Sequence, residues 1–144
     1  MAEQEFNYDT IKFEEYPETF TLTGSEFGYS LQVPAKLAMR SITIANMIFA
    51  TGGESNEPIP IFAFAKPINE NNANKFLNIA SEYYSNMDIA VGHFYDIVKK
   101  NEASFADTLL FIEFASFADF KELYDMYCQY FAYLIRIGEI NIDK

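Results

Sequence analysis

The sequence contains one cysteine, Cys128, one histidine, His93, and no tryptophan. A single cysteine excludes an internal disulfide and suits a protein of a reducing compartment. One cysteine and one histidine also fall short of a zinc site, which takes four ligands at recognisable spacings. We therefore expect neither a disulfide framework nor a metal centre.

Few residues are available for catalysis. A nucleophilic pair of Cys128 and His93 is one candidate, and with it a small hydrolase that uses Cys128. Cys128, however, lies within an apolar helical pattern, where cysteine behaves as a small hydrophobic residue. The sequence has no serine elbow, Walker loop or dinucleotide fingerprint, and Gly52-Gly53 lacks the residues that frame a phosphate-binding loop. We predict a protein that is not an enzyme and has no cofactor.

Basic residues are scarce as well. Ten lysines and arginines face 21 acids, which gives a net charge of −11 and a pI near 4.4. This balance argues against binding to nucleic acid or to an anionic membrane surface. No apolar run approaches the roughly 18 residues that span a bilayer, and the first residues lack the pattern of a signal segment. We expect a protein of the cytoplasm, the nucleus or both.

Apolar residues are plentiful, since half of the sequence is hydrophobic and 17% of it is Phe or Tyr. At 144 residues, one domain is the natural expectation, and we place it at residues 19–144. The arm before it, residues 1–18, combines acids with Phe and Tyr. We predict a solvated, partly ordered arm; the alternative is that its aromatic residues add an edge strand or dock in a groove.

Polar and apolar residues alternate in the first part of this domain. The alternation predicts a β-hairpin of Thr19–Thr23 and Tyr29–Val33, with Gly24-Ser25-Glu26 at the turn. A helical turn over 35–39 and a helix over 42–50 follow, the latter capped by Ser41, with Ile44, Met47 and Ile48 pointing inward. Two prolines place the extended stretch Pro58–Phe64 at a sheet edge or at the beginning of a strand.

The second part is predicted to be helical. Apolar spacing indicates helices over 71–84, within 87–100, over 104–117 and over 119–137. A small three-stranded sheet flanked by helices, with a long C-terminal helix, makes this an α+β domain.

The last helix has an unusually wide apolar surface. At about 100° per residue, its polar residues share one narrow stripe and the apolar residues form two contact faces. Both faces lie inside one fold, or one packs on the core while the other receives a partner. One face comprises Leu123, Tyr127, Tyr130 and Leu134, and the other comprises Tyr124, Cys128, Phe131 and Ile135.

Four stretches in this order resemble a known family. They are Ser41–Ile48, Pro58–Ile61, Asp88–Val91 and, most extensively, Ala115–Cys128. They are similar to the Ser-Val-Thr-Ile, Pro-Val-Pro-Leu and Asp-Ile-Pro-Val motifs, and to the Ala-Asn-Tyr-Leu-Asp-Ile-Lys helix start, of the S-phase kinase-associated protein one family. These proteins are the adaptors of cullin–F-box ubiquitin ligases and, like elongin C, have the BTB/POZ fold. The resemblance covers roughly residues 19–138.

The resemblance implies a BTB/POZ adaptor that bridges a cullin scaffold and an F-box-type substrate receptor. Ser116 and Phe117 stand where the family has the Asn-Tyr pair that touches the cullin, and Pro60 belongs to the same implied interface. By position, the implied receptor interface comprises Tyr124, Tyr127, Cys128, Phe131, Leu134 and Ile135.

The sequence departs from the family at several points. Gly92-His93 replaces a family tryptophan, Ser116 replaces the asparagine, and the family's clamping helices after Gly138 have no counterpart before Lys144. We expect the second apolar face to lie partly open and to require a partner, or a second copy in a homodimer. The alternative function is thus a BTB-fold scaffold or self-associating structural protein that no longer serves a ligase.

Overall fold

The computed structural model describes residues 7–23, 30–50, 59–60 and 69–140. The chain divides into two compact units, Met1–Ala63 and Phe64–Lys144. All strands of the described residues belong to the first unit, and four consecutive helices make up the described part of the second. The α+β class, the small sheet and the long C-terminal helix are as predicted. The single domain over residues 19–144 spans parts of both units and stays a prediction.

The first unit is built on the predicted hairpin. Strands β1 (Thr19–Thr23) and β2 (Ser30–Pro34) pair antiparallel, with Phe20 opposite Val33 and Leu22 opposite Leu31. These apolar side chains are buried on one face, as the alternation predicted. The expected turn residues and Tyr29 lie outside the described residues.

A third strand lies at the edge of this sheet. Strand β3 (Ile59–Pro60) pairs with β1 in parallel, which gives the order β2-β1-β3. An edge position is what two prolines favour, because proline cannot donate to a second neighbouring strand. The rest of the predicted extended stretch lies outside the described residues.

Two helices follow β2. Helix α1 is the turn Ala35–Ala38, and helix α2 is Ile42–Ala50, as predicted. The buried Ser41 hydroxyl caps α2 by accepting a hydrogen bond from the Ile44 amide at 3.0 Å. Ile44 and Ile48 point inward as expected, but Ala45 is buried where Met47 was expected, and Met47 is only half-buried.

The N-terminal arm is partly ordered. It forms two 3-10 turns, Tyr8–Thr10 and Phe13–Glu15, whose acidic side chains are exposed. The Tyr8 ring packs on the Arg40 guanidinium, 3.5 Å from the ring centroid, and its hydroxyl donates to the Lys36 carbonyl at 3.0 Å. Tyr8 therefore joins the arm to the segment after β2, and both alternatives drawn from the sequence, a solvated arm and one that adds a strand or docks in a groove, stay predictions.

The second unit consists of helices α3 (Glu70–Ser85), α4 (Val91–Lys100), α5 (Phe105–Phe117) and α6 (Lys121–Arg136). Helix α3 begins at the cap residue Asn69, and α5 begins at a capping box of Ser104 and Asp107. Aromatic rings fill the space between the helices. The largest buried side chains here are Phe76, Ile79, Phe94, Val98, Phe111, Phe120, Leu123, Tyr127 and Leu134.

Helices α4, α5 and α6 end in the same way. The residue after each C-cap has a positive φ: 58° at Glu102, 59° at Asp119 and 81° at Gly138. In each case the next amide donates to a carbonyl five residues back, at 3.3 Å, 2.8 Å and 2.9 Å respectively. These are Schellman motifs, which satisfy helix carbonyls and reverse the chain. They fix the short connections that place α5 and α6 side by side.

Glycine is favoured at the positive φ of Gly138, at the end of α6, but not inside α4. We expect Gly138→Ala to lower the free energy of unfolding by about 1 kcal/mol, because an L side chain is strained at a positive φ. Gly92→Ala is the matched control: its added Cβ would lie 3.7 Å from the Tyr133 hydroxyl, an ordinary contact. We expect it to stabilise the protein by about 0.5 kcal/mol, since alanine favours helix. Urea denaturation measures both, and equal signs would contradict this account.

Candidate interaction surface

Helix α6 has three faces. One is buried in the core and comprises Leu123, Met126, Tyr127, Tyr130 and Leu134. The second is the exposed polar stripe expected from the sequence. The third is apolar and open, with Tyr124 38% exposed and Ile135 42% exposed. Between these two lie Cys128, which is exposed, and Phe131, which is half-buried.

Helix α5 extends this open face. Phe105, Leu109 and Ile112 recur at helical spacing, and the first two are 42% and 45% exposed. The Phe105 ring meets the Phe131 ring at 5.6 Å and 90°. Because the start of α5 contacts the last turns of α6, the two helices run antiparallel and their apolar stripes adjoin. We call the combined set the α5–α6 surface: Phe105, Leu109, Ile112, Tyr124, Cys128, Phe131 and Ile135.

The α5 half of the surface was not predicted. The apolar spacing over 104–117 predicts a helix, but it assigns no role in an interface to Phe105, Leu109 or Ile112. The available signal was the separate spacing of two stripes, since Thr108, Phe111 and Ala115 form the buried one. Two stripes on one helix indicate two contacts, as they do on α6.

Two of the predicted receptor-interface residues lie in the core instead. Tyr127 is fully buried and Leu134 is 2% exposed. The Tyr127 ring contacts Phe94 at 5.1 Å and Phe111 at 6.5 Å. Both residues belong to the face that closes the helical unit, so a partner would reach neither of them in this conformation. Tyr124, Cys128, Phe131 and Ile135 are the predicted residues that the structure brings together on the open side.

The residues of the implied cullin interface lie in separate units. Ser116 and Phe117 end α5 and are exposed, Phe117 by 41%. The Ser116 carbonyl accepts from the Asp119 amide at 3.2 Å, within the turn that leads to α6. Pro60 belongs to β3 of the first unit, where its backbone pairs with Thr23. Ser116 continues the helical stripe of Leu109 and Ile112, so it borders the α5–α6 surface.

Tyr127 carries a buried polar atom. Its hydroxyl has no hydrogen-bond partner among the residues that the structure describes. Burial is the main cause that raises the pKa of Tyr127 well above its ordinary value, and Tyr130 adds to it. Tyr84 is the opposite case, because its hydroxyl accepts from the Leu123 amide and donates to the Glu122 carboxylate, both at 3.3 Å. It thereby caps the start of α6 from α3.

The two hydroxyls predict opposite effects of the same substitution. We expect Tyr127→Phe to raise the free energy of unfolding by about 1 kcal/mol, since an unpaired buried hydroxyl costs stability. Tyr84→Phe should lower it by about 1 kcal/mol, because the α6 amide loses its partner. Chemical denaturation of both variants measures the difference, and a destabilised Tyr127→Phe would show that this hydroxyl is paired.

The described residues hold no group of three or more His, Cys, Asp or Glu side chains that could bind a metal ion. Cys128 and His93 are both exposed, on α6 and α4 respectively. Within the described part of the chain, no helix is long and apolar enough to cross a membrane. What distinguishes the second unit is therefore its apolar surface.

No protein-family model matches the chain, and no curated protein matches its sequence.

Proposed function

We propose that this protein is a non-catalytic adaptor whose α5–α6 surface binds a helical segment of a partner protein. The observation that carries the proposal is the surface itself, in which two adjoining helices turn apolar side chains outward while their other faces fill a core. Single exposed apolar residues are normal, but a contiguous band marks an interaction site. The apolar surface between two adjacent helices is also a common binding site for an amphipathic helix.

The size of the surface favours a single docked segment. Phe105, Leu109, Tyr124 and Ile135 each expose about two fifths of their area. With large side chains near 200 Å², these four offer roughly 300–350 Å² of apolar area. The largest apolar patch of a typical monomer is of this order and is often functional, whereas a standard interface buries about 800 Å² per partner. A docked helix fits this area better than a stable homodimer does.

The resemblance to the S-phase kinase-associated protein one family suggests that the docked helical segment belongs to a substrate receptor. An F-box-type receptor would dock on the α5–α6 surface, and a cullin would contact Ser116 and Phe117 of the second unit. The contact of the cullin with Pro60, which the resemblance implies, concerns the first unit and is a separate proposal. The α+β class, the edge strand at Pro60 and the two-faced α6 support a BTB/POZ fold.

The test is capture of partners from the source cells with quantitative mass spectrometry. We expect F-box-type receptors to be enriched, and Leu109→Asp or Ile135→Asp to reduce their recovery at least about tenfold, because a buried unpaired charge at an interface is costly. Phe117→Lys should lose the cullin and keep the receptor. Phe131→Asp should also lose the receptor, but it removes the contact with the Phe105 ring as well, so its effect would combine lost binding with lost packing between α5 and α6.

The control is Gln129→Asp, which adds the same charge to the exposed polar stripe of α6. It should leave recovery unchanged, and circular dichroism should show that all variants are folded. Unchanged receptor recovery with folded Leu109→Asp and Ile135→Asp would exclude the docking role. If the protein recovers only itself, and light scattering shows dimers that Leu109→Asp dissociates, the self-associating scaffold is the function.

Cys128 provides an independent readout of the same surface. It is exposed and is the single cysteine of the chain, so a thiol reagent labels one position. We expect a bound receptor segment to protect Cys128, so that the rate of alkylation follows the fraction of protein that is unbound. Under saturating receptor the rate should fall at least about tenfold. Alkylation at an unchanged rate under saturating receptor would place the docking site elsewhere.

A further inference from the structure

The chain turns sharply where α6 ends. Gly138 adopts a φ of 81°, and the amides of Glu139 and Ile140 both donate to the Leu134 carbonyl, at 2.9 Å and 3.4 Å. The turn is therefore fixed by the backbone, and it determines where the side chain of Glu139 points.

The Glu139 carboxylate is held by two residues of α4. The Tyr95 hydroxyl donates to it, and the Lys99 ammonium lies 3.2 Å from it. The same ammonium lies 5.3 Å from the centroid of the Tyr95 ring, so the three side chains contact one another. The hydrogen bond with Glu139 is the main cause that raises the pKa of Tyr95 to about 12, and it is also the main cause that lowers the pKa of Glu139.

These contacts lie on the side of α6 that faces α4. The Tyr95 ring packs on Tyr133 at 5.5 Å and on Tyr130 at 6.4 Å. Tyr133 and Ile135 are two positions apart, which separates their directions around the helix by about 160°. Ile135 belongs to the α5–α6 surface, so the contacts of the Glu139 side chain lie on the side of α6 opposite to that surface.

We propose that Tyr95 and Lys99 act as a latch that holds Glu139 on the side of α6 that faces α4, and so keeps Glu139 and Ile140 away from the α5–α6 surface. The backbone turn at Gly138 reverses the chain and directs Glu139 toward α4, and the latch stabilises Glu139 there. The advantage of an uncovered surface rests on the proposed function, but the latch does not, because it is a contact within one chain.

Amide hydrogen exchange of the isolated protein tests the latch. We expect Glu139→Gln and Tyr95→Phe to speed exchange of the Glu139 and Ile140 amides about three- to tenfold, the range of an exposed ion pair with one hydrogen bond. Glu113→Gln, at an exposed position of α5, is the matched control and should change neither amide. Unchanged exchange in both latch variants would overturn the proposal.

A nitroxide on Cys128 tests the direction. This position lies on the α5–α6 surface and needs no further substitution, since the chain has one cysteine. We expect the Ile140 amide signal to broaden more in Glu139→Gln than in the wild type, because Glu139 and Ile140, once released, then sample the open side. Equal broadening in the two proteins would show that the latch does not steer the chain. No partner is present in either experiment, so failure of the latch and failure of the adaptor role are told apart.

Discussion

The burial of Tyr127 between α4 and α5 is the contact on which the helical unit depends. Its ring meets Phe94 at 5.1 Å and Phe111 at 6.5 Å, and Phe111 in turn meets Phe76 of α3 at 5.7 Å. All four helices are joined through this aromatic cluster. The edge-to-face geometry of Phe94 and Tyr127, at 85°, is the favourable one for such rings. Once this face of α6 is committed to the core, its other apolar face has to point outward.

The ends of the helices make that arrangement specific. Asp119 adopts a positive φ, so the chain reverses after α5. The Tyr84 hydroxyl accepts a hydrogen bond from the Leu123 amide in the first turn of α6, which has no partner within its own helix. The apolar stripes of α5 and α6 are thereby brought side by side, with Phe105 against Phe131. The α5–α6 surface thus depends on the turn that connects the two helices, and a change in the conformation of this turn at Asp119 would separate the two halves of the surface.

An open apolar surface is a risk for a free protein, and the charge of this chain offsets it. A net charge of −11 keeps molecules apart in solution, so one apolar band is tolerated without general aggregation. The contacts of Glu139 with Tyr95 and Lys99 add to this, since they hold the residue just beyond α6 on the side that faces α4, away from the α5–α6 surface. Binding would then depend on a partner whose apolar residues match the band.

The positions of most strands and helices follow from the sequence alone. Alternation placed the hairpin, helical spacing placed α2, α3, α5 and α6 close to their ends and α4 within a longer stretch, Ser41 marked the start of α2, and the two prolines favoured an edge position for β3. The two apolar faces of α6 were also readable, because helical periodicity is a property of neighbouring residues. The BTB/POZ identity stays a prediction, since it rests on short motifs.

Only the tertiary structure decided which apolar residues are core and which are surface. Tyr127 and Leu134 are chemically as suitable for an interface as Tyr124 and Ile135, yet the first pair is buried and the second is open. The difference lies in which helices pack on which face, and periodicity does not contain that information. The contribution of α5 and the hold of α4 on Glu139 have the same origin. Both join residues distant in sequence, and their contacts exist only after the helices have packed.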